Sequence, residues 1–206
     1  MLKDRAAIQH IYSVGPTGSG KSHVIKRHAR AIRMAGYPVR VVSAKANPEL
    51  RKLSGGKMHP DVAEWRTLCG ADFVTHDPLY LPRLFLDGQL GPCLIVYDEG
   101  AADIGNNPPE EIKTMLRVCR DFGVQVAVNS QNYTGVSPQI RNQCKMLHLF
   151  NVARQDLQTV VNDYRFDDAS ETTIRGATNL GLYEHLFVDT RQRICRIMDR
   201  NGKPKA

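Results

Sequence analysis

No stretch of this 206-residue sequence approaches the ~20 consecutive apolar residues that a membrane-spanning helix needs. The first residues, Met1-Leu2-Lys3-Asp4-Arg5-Ala6, lack the long apolar core of a secretory leader, so the expectation is an intracellular protein. Cysteine is scattered and unpaired in pattern. Cys69, Cys93, Cys119, Cys144 and Cys195 are odd in number and form no C-x-x-C, which argues against a zinc ribbon or a disulfide framework. Most lie in or beside apolar segments, as reduced core cysteines do. The histidines show no H-E-x-x-H or similar ligand spacing, so the one metal expected is Mg²⁺ carried in with nucleotide. Internal repeats and low-complexity segments are absent, as is the N-K-x-D signature by which GTPases read guanine.

What is present is an ordinary globular composition, 42% hydrophobic and 24% charged, in a chain long enough for one domain and a sizeable core. The formal net charge of +7 is compatible with a nucleic-acid partner and equally with solvated basic faces. Basic residues gather at Lys26, Arg27, Arg30, Arg33 and Arg40, and again at Arg191, Arg193, Arg196, Arg200, Lys203 and Lys205.

The most specific signal is Gly15-Pro16-Thr17-Gly18-Ser19-Gly20-Lys21-Ser22, a complete G-x-x-x-x-G-K-[ST] phosphate loop. The apolar run 8–14 precedes it as a strand. Helical spacing of Val24, Ile25, His28, Ala29 and Ile32 follows from Lys21 to about Ala35. Glycines let the backbone wrap phosphate oxygens with inward N–H groups, and the new helix adds its positive end. Lys21 reaches the β- and γ-phosphates, and the Ser22 hydroxyl can ligate Mg²⁺. The motif in this context predicts binding of a nucleoside triphosphate; without the guanine signature, ATP is the expected one.

Beyond the loop, β and α signals alternate. Strands are expected at 39–43, 71–75, 93–97, 124–129 and 145–150, and helices at about 60–69, 79–87, 108–122 and 155–163. Residues 44–60 read as loop. Near the end, 186–189 and 193–198 read as a hairpin around Thr190-Arg191-Gln192. Such alternation predicts an α/β fold, a parallel central sheet flanked by helices with a C-terminal β-hairpin, and nucleotide at the carboxyl ends of the strands. The expected organisation is a P-loop core over about 8–151 with an elaboration over about 152–206.

Asp98-Glu99 follows the apolar run 93–97 directly. Asp98 there would hold the Mg²⁺ shell, and Glu99 would polarise the water attacking the γ-phosphate. Gln131, with Asn129 as the fallback, ends the next strand where an amide can meet the γ-phosphate or that water. Arg141 precedes strand 145–150, where an arginine could stabilise transition-state charge, within a ring across to a neighbour; Arg117, Arg120 and Arg154 compete for that part.

Taken together, Gly15–Ser22, Val96-Tyr97-Asp98-Glu99, Ser130-Gln131 and Pro138-Gln139-Ile140-Arg141-Asn142 resemble the FtsK–HerA group of ASCE-type P-loop ATPases. The likeness is strongest to its viral branch, the genome-packaging ATPases of tailless, membrane-containing double-stranded DNA viruses. It covers roughly 8–151. The resemblance implies a ring, usually a hexamer, that threads double-stranded DNA into a preformed capsid and meets capsid or vertex proteins. It further implies Glu99 as catalytic carboxylate, Gln131 as γ-phosphate sensor and Arg141 as arginine finger. The setting implied is the host cytoplasm, with association to the virion. Two other readings stand beside it: a small-molecule kinase with Arg117–Arg120 as its lid, and a nucleotide-binding accessory subunit of a DNA or secretion machine.

Overall fold

A computed structural model describes residues 8–205; the segment Met1–Ala6, read above for a leader, lies outside them. Eight strands form one sheet: β1 (His10–Val14), β2 (Val39–Val42), β3 (Phe73–Thr75), β4 (Cys93–Tyr97), β5 (Val124–Ser130), β6 (Cys144–Leu149), β7 (His185–Asp189) and β8 (Ile194–Met198). Their order across the sheet is β3-β2-β4-β5-β1-β6-β7-β8. From β3 to β6 all pairings are parallel, and β7 and β8 close one side antiparallel as the expected hairpin. The central strands β4, β5 and β1 are buried along their whole length, because helices cover both faces.

The helices are α1 (Lys21–Met34), α2 (Pro48–Leu53), α3 (Pro60–Thr67), α4 (Tyr80–Leu86), α5 (Gly100–Asp103), α6 (Glu110–Val118), α7 (Pro138–Arg141), α8 (Arg154–Tyr164) and α9 (Asp168–Gly176). On one face Ile25 and Ile32 of α1 and Trp65 of α3 pack on Val39, Val41, Leu94 and Val96. On the other, Ile112, Met115 and Leu116 of α6 join Leu157 and Val160 of α8 and Ile174 of α9 over Tyr97, Val126 and Leu147. His10 ties β1 to that second layer: its Nδ1 accepts from Val126 N–H at 3.1 Å while Nε2 lies 3.3 Å from the Leu116 carbonyl. Burial keeps this imidazole neutral, its pKa pushed down to about 4.

Four local readings need correction. Residues 44–60 are not all loop, since a 3₁₀ turn (Ala44–Ala46) leads into α2, whose start is capped by the Asn47 side chain accepting from Glu49 N–H at 2.9 Å. The helix expected to run to 122 ends as α6 at Val118 and continues as a 3₁₀ turn (Cys119–Phe122), stopped by Gly123 at φ 78°. The short helices α5 and α7 were unforeseen because four residues carry no periodicity. Helix α9 gives no sequence signal either; only Ile174 of it is buried, so it has no apolar stripe to read.

Candidate active site

The phosphate loop joins β1 to α1 in the conformation its glycines require. A methyl group on Gly15 would sit 2.3 Å from the Phe150 carbonyl oxygen, while Gly18 and Gly20 hold φ of 80° and 112°. Two hydrogen bonds fix the base of the loop: Gly15 N–H donates to Ser130 O at 3.2 Å, and Phe150 N–H to Val14 O at 2.8 Å. Helix α1 starts at Gly20 with no side-chain cap and no acidic residue in its first turn. Its orphan N–H groups and positive end are left for an anion. Pro16, Thr17 and Gly18 are exposed, Ser19, Gly20, Lys21 and Ser22 half-buried. Lys21 Nζ folds back to donate to the carbonyls of Gly15 (2.6 Å) and Pro16 (2.8 Å). Burial lowers its pKa, opposed by the charges of Glu99 and Asp98.

Register places the carboxylates. β4 pairs with β5 up to Tyr97↔Val128, and β5 pairs with β1 up to Val14↔Ser130. Asp98 thus emerges beside Asn129, and β5 separates it from the phosphate loop. Asp98 is buried, with its oxygens 3.3 Å from Ser43 Oγ and 3.5 Å from Asn129 Nδ2. Desolvation raises its pKa, opposed chiefly by Lys45, so a cation here would hold the carboxylate ionised. This donor set fits Mg²⁺, which is bound through one or two hard oxygens with waters and phosphates completing its shell. Glu99 is half-buried, and Gln131 Nε2 donates to its Oε1 at 3.1 Å. Asp103 of α5 accepts from the Glu99 backbone N–H at 3.3 Å; burial raises its own pKa to about 7. Gln131, exposed at the end of β5, and not Asn129, is the amide that meets Glu99; Asn129 is buried against Asp98.

Arg141 does not join this group. Its side chain is only 5% exposed and donates to Asp163 Oδ2 (3.1 and 3.3 Å) and to the Val136 carbonyl (2.8 Å), with the guanidinium 4.6 Å from the centre of the Tyr133 ring. Three of its five N–H groups are engaged and the side chain is buried, so where an arginine finger was expected Arg141 is held as a buried framework residue. Arg117 bonds along α6 to Thr114 and Glu110. Arg120 lines a hollow with Ile8 and Gln9, at the opposite end of β1 from the phosphate loop, which removes the lid that the kinase reading required. Arg154 is exposed at the start of α8, just past the β6 end that abuts the loop. Lys26 also leaves the expected basic surface, being buried, paired with Glu64 and 5.4 Å from the Trp65 ring centre.

The same overall fold recurs in solved structures. The genome-packaging NTPase B204 of Sulfolobus turreted icosahedral virus 2, in complex with AMPPCP, superposes with a TM-score of 0.67 at 14% identity, over 96% of this chain and 98% of that one. The same protein in complex with ATP-γS gives a TM-score of 0.68 at 16% identity, with the same coverage of both chains. VirB4 of Thermoanaerobacter pseudethanolicus gives 0.63 at 13% identity, over 96% of this chain and 89% of that one. The chain shares the fold of these proteins. No protein-family model matches the sequence, and no curated protein matches it. The likeness to these structures is carried by tertiary structure, and at 96% of the chain it extends beyond residue 151.

Proposed function

We propose that this chain is an ATP-hydrolysing motor that moves double-stranded DNA into a preformed viral capsid. The observation that carries the reading is Glu99, held by Gln131 one strand away from the phosphate loop. A carboxylate there can take a proton from water, which a hydrolase needs and a kinase must avoid. In the reading, the phosphate loop and Lys21 grip the triphosphate. Glu99 orients and deprotonates a water in line with the γ-phosphorus, the bond to the bridging oxygen breaks, and Lys21 meets the charge left on the leaving diphosphate. Gln131 keeps the Glu99 carboxylate aimed and registers the loss of the γ-phosphate. Ser22 and Asp98 are the residues to hold Mg²⁺, which supplies charge neutralisation to the phosphates when bound.

The packaging role draws support from the likeness to the B204 structures and from the net charge of +7. Arg191, Arg193, Arg196, Arg200, Lys203 and Lys205 are all exposed along the hairpin and tail, a surface suited to backbone phosphates without base reading. In a homo-oligomeric ring, a finger reaching a neighbour would come from an exposed position such as Arg154 rather than from Arg141. Capsid or vertex proteins are the expected partners, in the host cytoplasm or on the virion.

The test is ATP hydrolysis by the purified chain, titrated with double-stranded DNA, beside Glu99→Gln. DNA should stimulate turnover, and the variant should lose about 10²–10⁴-fold while still binding ATP. Turnover indifferent to DNA, or unchanged in Glu99→Gln, would sink the reading.

A further inference from the structure

The sheet order gives the nucleotide a direction. The carboxylates stand at the end of β4 and Gln131 at the end of β5, both on one side of β1. A triphosphate whose γ end faces Glu99 must run its α-phosphate and nucleoside toward the other side, over the ends of β6 and β7. The turn that enters β7 carries Tyr183 there. A methyl group on Gly20 would lie 2.9 Å from Tyr183 Cδ1 and 3.2 Å from Phe150 Cε1, so the tyrosine ring borders the phosphate loop itself. A cavity of 510 Å³ joins phosphate loop and ring in one space, its lining including Gly20, Lys21, Ser22 and Tyr183 and also Asp61 and Glu64 of α3.

The ring is placed by construction rather than by chance of surface packing. Tyr183 sits at φ 65°, a left-handed conformation that side-chain-bearing residues seldom adopt. The turn around it is clamped from three sides. Asn151 meets Leu180 with both ends of its amide, Nδ2 donating to the carbonyl at 2.8 Å and Oδ1 accepting from the N–H at 2.7 Å. Glu184 accepts from Gly181 N–H at 3.0 Å and from Lys205 Nζ at 2.8 Å. Asn151 directly follows Phe150, whose carbonyl and ring abut Gly15 and Gly20, so the turn and the phosphate loop share one support. Yet the tyrosine is 44% exposed, beside Leu182 at 70%: a fixed aromatic face left open at the mouth of a phosphate site.

We infer that Tyr183 is the nucleobase platform of this site, its ring stacking on the purine of the bound triphosphate. The inference rests on the ATP-binding reading above, and it assigns to the C-terminal segment the work of holding the base. Stacking needs only a π face, so the phenol hydroxyl is dispensable.

Equilibrium binding of ATP and of inorganic tripolyphosphate, which has no base, separates the possibilities in the wild-type chain, Tyr183→Ala and Tyr183→Phe. Tyr183→Ala should bind ATP roughly ten-fold more weakly, from the usual worth of one base–aromatic stack, with tripolyphosphate affinity unchanged. Tyr183→Phe should bind both as the wild type does. ATP affinity unchanged or raised in Tyr183→Ala would overturn the platform. So would an equal loss for tripolyphosphate, which would make the tyrosine a mere prop of the phosphate loop. A wild-type chain that bound neither compound would overturn the ATP-binding reading, and the platform with it.

Discussion

Replacing Arg141 with methionine should unfold the chain's margin of stability rather than disable its chemistry. The guanidinium is 5% exposed and Asp163 19%, and the arginine supplies two of the hydrogen bonds to Asp163 Oδ2. Methionine fills much of the volume but leaves a largely desolvated carboxylate facing an apolar group. Breaking a buried pair in this way costs about 3–5 kcal/mol. Tyr133 Oη still donates to the same oxygen at 2.9 Å, so the lower part of the range applies, roughly 3–4 kcal/mol. The Val136 carbonyl also loses its donor, which keeps the figure from falling further. Against a typical total of about 5–15 kcal/mol this is a large share. For a chain of this size it should lower Tm by roughly 5–15 °C. Urea unfolding followed by circular dichroism gives the difference directly. Asp163→Leu added to Arg141→Met should recover part of the loss, because the double variant leaves no lone charge. An Arg141→Met chain as stable as the wild type but unable to hydrolyse ATP would refute the assignment and restore the finger.

Other expectations follow from the same geometry. Gly15→Ala should abolish tight triphosphate binding, measured by calorimetry, because its methyl group would collide with the Phe150 carbonyl at 2.3 Å and push the loop off β6. Gln131→Ala should slow hydrolysis roughly ten- to hundred-fold in single-turnover assays while ATP binding persists, since it releases Glu99 without touching the phosphate loop. Asp103 carries a folded-state pKa of about 7 against an ordinary 3.8, so the native state binds the proton more tightly and loses stability as pH rises from about 4 to 7. Asp103→Asn should therefore be more stable than the wild type at pH 8, by about 2–4 kcal/mol, and nearly equal to it below pH 4. Equal melting curves at pH 8 would refute that sign.

What the sequence determined by itself is what depends on neighbours along the chain. The phosphate loop is eight contiguous residues whose glycines and helix start dictate their own backbone, and Gly15, Gly18 and Gly20 all take the positive φ the motif implies. The continuous apolar run 93–97 declared a doubly buried strand, and the Asp-Glu pair at its end could only emerge at the sheet's carboxyl edge. Helix α9 stayed hidden because one buried residue leaves no periodic stripe, and α2 because its apolar residues face solvent. The tertiary structure decided what depends on partners far away in the chain. It inserted β5 between β1 and β4, which brought Gln131 to Glu99 across 32 residues. It buried Arg141 against Asp163, 22 residues on, where position in the sequence had suggested a finger. It also carried Tyr183 to the rim of a loop that lies at the other end of the chain. Backbone conformation follows from local sterics and hydrogen bonding; a charge or a ring acquires its role from what packs beside it, and packing is settled only when the whole sheet is assembled.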